Sequence, residues 1–192
     1  MTTEEEYKIA DRESLVKATS NPIYDLLDRG GKQWRPLLGM MFAEAFGRNL
    51  TDLEANKDIY FSCGLTEIVH NGSLIIDDIE DGSLKRRGDL CTHHKFGVDV
   101  AVNAGCYMMV SPMNVAHHFV AERHQLALHR IFSQELQCLH VGQGWDIQWH
   151  NRKGRVPTEA HYFHMVENKT SVLPRMCLRF IAELTERDPE TT

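Results

Sequence analysis

Asp77, Asp78 and Asp81 close an apolar run, Ser73-Leu74-Ile75-Ile76, and Arg86 and Arg87 follow five residues later. On an α-helix, with about 100° between successive residues, the three carboxylates share roughly one 100° arc, and Glu80 falls at its edge. Acids crowded on one face repel one another, and Gly82 predicts that the helix ends here, where its dipole is already negative. A hard divalent cation relieves that cost. Magnesium takes carboxylate oxygens together with phosphate oxygens, and two forked guanidiniums close by suit a phosphate. The competing reading is a solvated helix end followed by a basic turn; the apolar run argues against it, since it predicts a buried wall beneath the acids.

Three further places stand out by residue type and spacing. Gly30-Gly31 precede Lys32 and Arg35 at the start of an apolar helix, where a bare backbone and amide donors favour an anion, although the residues alone also fit a surface turn. His70 lies seven residues before Asp77, two turns back on the same face; a hydrogen-bonded core histidine is its alternative. Gly142-Gln143-Gly144-Trp145-Asp146 places two glycines within a predicted helix, each unfavourable by about 1 kcal/mol relative to alanine. That pattern fits a close approach of helices or ligand, or else a kink.

These stretches together resemble the trans-isoprenyl diphosphate synthases, the polyprenyl synthetase family that makes farnesyl, geranylgeranyl and longer diphosphates. The resemblance rests on Gly30-Gly31-Lys32 with Arg35-Pro36, on Glu67, His70 and the run 73–81, on Arg86-Arg87-Gly88 returning to Phe96-Gly97, on Gly142-Gln143 with Asp146, and on Lys169-Thr170. It implies an all-α fold, a large helical bundle of the isoprenoid synthase type around a central cavity. It implies head-to-tail condensation of isopentenyl diphosphate with an allylic diphosphate, with Mg2+ as cofactor on Asp77, Asp78 and Asp81. By the same resemblance Lys32, Arg35, His70 and Arg87 hold isopentenyl diphosphate. Arg86, Lys169 and Thr170 serve the departing allylic diphosphate as catalytic and binding groups, and Gln143 lines the cavity opposite the aspartates. Gly72 and Ser73 form the chain-length wall. In the family large aromatic residues at these two places favour shorter products, so their absence implies twenty carbons or more. A homodimer is the family's habit, and the Met-rich helix around 101–113 could serve it.

The elements that must position these groups follow from periodicity and turn residues. Residues 4–19 read as a helical segment that Asn21-Pro22 ends or restarts, a short helix runs through Ile23, Leu26 and Leu27, and the helix after Pro36 closes at Gly47. Residues 51–81 read as one long helix with Thr51 as N-cap and Glu54 completing a capping box. Residues 82–97 read as a loop, in which His93-His94 diverge too much for a metal pair. A helix over 98–124, with small residues at 101, 104 and 105 for close packing, is kinked or interrupted by Pro112. Helices follow from about 125 to 149 and, after a basic turn at 154–157, from the Thr158 cap through Ser171. His117, His118, His124 and His129 share no face, so no zinc site is expected.

Composition narrows the classes. At 192 residues with 42% hydrophobic and 25% charged, the chain suits one soluble globular domain, and a net charge of -6 without a basic arm argues against a nucleic-acid partner. Five scattered cysteines without a Cys-x-x-Cys pair point to reduced thiols and a cytoplasmic location, no run reaches transmembrane length, and an organelle leader removed beforehand would leave no trace. The family carries a second aspartate-rich motif beyond the Lys-Thr helix, and the sequence stops at Thr192 without one. The expectation is therefore one isoprenoid-synthase-like domain over 1–192 with its C-terminal part absent. The alternative is a non-catalytic, diphosphate-binding regulatory subunit of a prenyl synthase.

Overall fold

The computed structural model describes residues 12–151 and 156–186; the acidic start of the chain, the first half of the 154–157 turn and the end of the acidic tail lie outside the described residues. The described chain is all-α apart from one two-stranded hairpin. Its internal contacts fall into two groups, one comprising the chain up to Lys32 with 68–111, the other 33–67 with the chain from Pro112 onward.

In the first group, α1 (Arg12–Leu15) passes through a π-helical stretch, Val16–Ser20, into α2 (Asn21–Leu27). Pro22 restarts the helix because in a first turn its missing N–H deprives no carbonyl of a partner. The group also holds the C-terminal half of α4 (Lys57–Glu80), the strands β1 (Lys85–Arg86) and β2 (Asp89–Leu90), α5 (Thr92–Phe96) and α6 (Val98–Val110). The expected loop at 82–97 is thus a hairpin and a short helix. Leu26, Ile75, Ala101 and Met108 form the core, with Ile23, Leu27 and Ile79 packed against it. Helices α4 and α6 touch at two glycines: a Cβ on Gly72 would lie 2.8 Å from the Gly105 carbonyl oxygen, and one on Gly105 would lie 2.8 Å from Ile76 Cδ1. The small residues at 101, 104 and 105 are used as the sequence predicts.

In the second group, α3 (Trp34–Ala45) ends at Gly47, whose N–H reaches Glu44 O while that of Arg48 reaches Ala43 O, the Schellman pattern. Helix α4 begins at Lys57 rather than near Thr51. The Thr51 hydroxyl is occupied as a donor to Asn49 Oδ1, and Asp52 Oδ1 accepts the Ala55 N–H, so 49–56 folds as side-chain-bonded turns instead of a capping box. Pro112 interrupts the helix after Val110: a 3-10 turn (Ser111–Val115), the short α7 (Ala116–Phe119) and a break precede α8 (Glu122–His150). Helix α9 (Glu159–Lys169) starts at the Thr158 cap, whose hydroxyl accepts the His161 N–H at 3.3 Å, and it stops two residues short of the expected end. The chain then re-enters helix as α10 (Val172–Leu184), which the reading of the sequence passes over. Its buried positions 172, 173, 176, 177, 180, 181 and 184 follow helical spacing, and it packs on α8 and α3. His124 is held by Glu183 at 2.8 Å, and among the described residues no three His, Cys, Asp or Glu side chains converge as a metal set.

Two interior contacts here make predictions. A Cβ on Gly39 would lie 2.5 Å from Cys177 Sγ and 2.7 Å from Cys63 Sγ, so Gly39→Ala is expected to destabilise the fold by about 2 kcal/mol through overpacking, read as a lower unfolding midpoint in urea. Glu135, with its side chain only 3% exposed, accepts from Arg175 at 2.7 Å and from Arg179 at 2.7 Å. Removing that shared carboxylate as Glu135→Ala leaves two cations facing each other over an apolar hole. A loss of about 3 kcal/mol is expected in the same measurement.

Candidate active site

Helix α4 ends as its sequence directs. Gly82 takes φ +62°, its N–H bonds Ile79 O, and the Ser83 N–H bonds Asp78 O, so the helix closes just beyond the aspartates. The three carboxylates nevertheless part company. Asp77 and Asp81 lie about 40° apart around the axis, whereas Asp78 is turned further, to the side that meets the hairpin. The Asp78 side chain is 2% exposed, and its Oδ1 accepts from Arg86 Nε at 2.9 Å and from Nη2. The buried Cys91 thiol also hydrogen-bonds Asp78, and burial together with that neighbour pushes the thiol up to about 11. The Asp78 hydrogen bond holds the Arg86 guanidinium above its ordinary pKa, and Arg86 Nη2 stands 3.6 Å from Asp77 Oδ2. Asp78 therefore presents Arg86 beside Asp77.

The hairpin separates the two arginines. Lys85 pairs with Leu90 and Arg86 with Asp89, leaving Arg87 and Gly88 as a two-residue turn in which both take positive φ, +51° and +86°. Turns of this hand match the twist of the strands but favour Asn-Gly, so Arg87 is in a costly conformation. Its guanidinium reaches back to Leu26 O at 3.4 Å and lies over Gly31, whose Cβ would be 3.0 Å from Nη2. The glycine pair thus divides its work: Gly30 supplies a left-handed φ of +69°, and Gly31 leaves room for Arg87. Lys32 follows, exposed. His70 is half-buried two turns before Asp77, and its carbonyl accepts from Ser73 Oγ at 2.8 Å. Gly72 faces α6, so its bare Cα is required by packing rather than open to a ligand; of the two wall residues only Ser73 is not fixed in that way.

The second group carries Arg35, Gln143, Lys169 and Thr170. Arg35 stands in the first turn of α3, its guanidinium 4.7 Å from the Trp34 ring centroid, with a buried Nε that has no hydrogen-bond partner. Burial lowers its pKa, and the charge of Glu67 opposes that shift. A desolvated donor of this kind is a place for an anion. Gly142 gives α9 its approach to α8, since a Cβ there would lie 2.5 Å from Lys169 N. One turn further along α8, Asp146 Oδ2 receives Lys169 Nζ at 2.5 Å. Asp146 thus holds Lys169, and its signal in the sequence was its place in the Gly-Gln-x-x-Asp string. Thr170, exposed, caps the end of α9 instead of lying within it. Gln143 is half-buried, and a Cβ on Gly144 would meet nothing within 4 Å, so packing explains Gly142 alone.

The chain is 33% identical over 180 residues to the geranylgeranyl pyrophosphate synthase of Eremothecium gossypii, a match covering 92% of this chain and 53% of that one. It is 44% identical over 117 residues to the sesterfisherol synthase of Neosartorya fischeri, covering 61% of this chain and 15% of that protein. The solved geranylgeranyl pyrophosphate synthetase of the archaeon Geoglobus acetivorans superimposes with a TM-score of 0.80 at 26% identity, over 97% of this chain and 57% of that one. The chain thus spans about half the length of the two geranylgeranyl pyrophosphate enzymes and a smaller share of the third relative. The profile of the polyprenyl synthetases matches residues 16–192, nearly the whole sequence and every motif described above, and the chain belongs to that family.

Proposed function

We propose that the protein carrying this chain elongates prenyl diphosphates, joining isopentenyl diphosphate head-to-tail to an allylic diphosphate, and that residues 1–192 form part of one isoprenoid-synthase-like domain. The observation that carries the reading is the Asp78–Arg86 clamp, in which a buried acid keeps a guanidinium 3.6 Å from the Asp77 carboxylate. A guanidinium held in one place beside a second carboxylate is a preorganised donor for a polyanion carried on a metal ion.

Asp77 and Asp81, one turn apart, fit magnesium, which takes one or two carboxylates together with substrate phosphate oxygens. Bound there, the ion would draw negative charge off the departing diphosphate. Arg86 offers the allylic diphosphate the donors that Asp78 does not use. Lys169, aimed by Asp146, and the Thr170 hydroxyl at the open end of α9 are assigned to the same leaving group. Lys32, Arg35, His70 and Arg87 are assigned to the diphosphate of isopentenyl diphosphate, with the unpartnered Arg35 Nε as direct support. Apolar residues of α4 would shield the allylic cation from water, and Ser73 leaves space for a chain of twenty carbons or more. Helix α6 exposes Val98, Val102, Tyr107 and Val110, and these uncovered apolar side chains support a homodimer. No described helix is long and apolar enough to cross a membrane, and the scattered free thiols support a cytoplasmic location.

The test is incorporation of labelled isopentenyl diphosphate into dimethylallyl, geranyl and farnesyl diphosphate by the protein carrying this chain, with and without magnesium. Magnesium-dependent elongation is expected, with loss of at least a hundredfold in kcat/KM for Arg86→Met. Magnesium-dependent diphosphate binding without elongation would overturn the reading in favour of a non-catalytic subunit.

A further inference from the structure

The hairpin that carries Arg86 and Arg87 is too small to hold itself. It has two paired residues per strand and a turn residue with unfavourable φ, and an isolated two-stranded hairpin is marginal in water. The Asp78 clamp fixes the Arg86 side chain, which leaves the strand backbone and the turn to be held by something else.

A ring of four alternating charges lies against it. Arg29 Nη2 bonds the Asp25 carboxylate and stands 3.6 Å from Asp89 Oδ2; Lys95 Nζ bonds Asp89 Oδ2 at 2.9 Å and closes the ring on Asp25 Oδ1. The ring ties the end of α2 to β2 and α5. Arg29 does more than complete it: Nε donates to Asp25 O at 2.9 Å, and Nη1 donates to the carbonyl oxygen of Arg86, also at 2.9 Å. Its side chain is only 9% exposed, unlike an ordinary surface pair. Two charges of each sign leave the ring neutral, so it adds no net charge beside the site. Its effect is positional.

We propose that Arg29 is the positioning residue of the diphosphate site, holding the Arg86 carbonyl through the Asp25–Arg29–Asp89–Lys95 ring and so aiming the guanidiniums of Arg86 and Arg87. This rests on the prenyl-transfer reading above. A misplacement of about 1 Å in a binding group is enough to cost tenfold or more.

The test compares Arg29→Met with Arg29→Lys, and with Arg86→Met as a control, in the protein carrying this chain. Arg29→Met is expected to raise KM for both diphosphates about tenfold while kcat at saturation stays within about threefold, and Arg29→Lys, which keeps only the charge, recovers little of it. Trypsin supplies a reading independent of turnover. Cleavage after Lys85, Arg86 and Arg87 is expected to quicken about tenfold in Arg29→Met, with cleavage after Arg123 and Arg130 unchanged. Should Arg29→Met fail to fold, Asp89→Asn, at a side chain 55% exposed, opens the same ring and is expected to quicken hairpin cleavage alone. Unchanged KM and unchanged hairpin cleavage in the folded variant overturn the inference. If Arg86→Met also leaves KM unchanged, it is the site assignment under the functional reading that has failed.

Discussion

Asp81→Ala is expected to abolish magnesium-dependent binding of diphosphate while changing the unfolding free energy by less than about 1 kcal/mol, whereas Asp78→Ala is expected to lose about 3 kcal/mol. The contrast follows from where the two carboxylates go. Asp81 is exposed just beyond the end of α4, close in angle to Asp77, and its loss leaves no buried charge behind. Asp78 is enclosed, and its removal strips Arg86 of its principal partner and leaves the buried Cys91 thiol without its carboxylate. For a chain of this size the Asp78 variant should melt roughly 6–12 °C lower. Calorimetric titration with inorganic pyrophosphate and magnesium, beside thermal unfolding, separates the two. If Asp78→Ala keeps the stability of the parent, the clamp is not what holds Arg86; if Asp81→Ala still binds pyrophosphate only with magnesium, Asp81 is not a ligand.

Gly72→Phe is expected not to reach the native fold, and Ser73→Phe is expected to fold and make shorter products. A Cβ at Gly72 would lie 2.8 Å from the Gly105 carbonyl oxygen and 2.8 Å from Met108 Cβ, so even Gly72→Ala must separate α4 from α6, at a cost of about 2–3 kcal/mol. A phenyl ring there has no space at all. Ser73 is half-buried one turn before Asp77, and its hydroxyl is satisfied by the His70 carbonyl, so a larger side chain there displaces a single hydrogen bond. Circular dichroism of both variants and chromatography of the prenyl products decide the matter. A folded Gly72→Phe enzyme with shortened products would show that this residue faces the growing chain after all.

The sequence by itself determined the helical class, the family and the inventory of charged groups, because those depend on local spacing. The periodic apolar residues of α4, Gly82 and Gly47 as stops, Thr158 as a cap and Pro112 as an interruption act over a few residues and were legible as such. The helix start at Lys57 was less so, because the Asn49 and Asp52 side chains accept the Thr51 and Ala55 N–H groups and fold 49–56 as turns. Tertiary structure alone decided which of three adjacent-looking aspartates would be buried. Asp78 differs from Asp77 by one 100° step, and that step matters only because a hairpin arrives on that side. It also decided that Gly72 packs a helix, that Gly31 makes room for Arg87, that Asp146 holds Lys169, and that Arg29 grips the strand of Arg86. Each of these is a meeting of residues distant in sequence. No local pattern records such a meeting, because its energy exists only once the chain has brought the partners within a few ångströms and excluded water from between them.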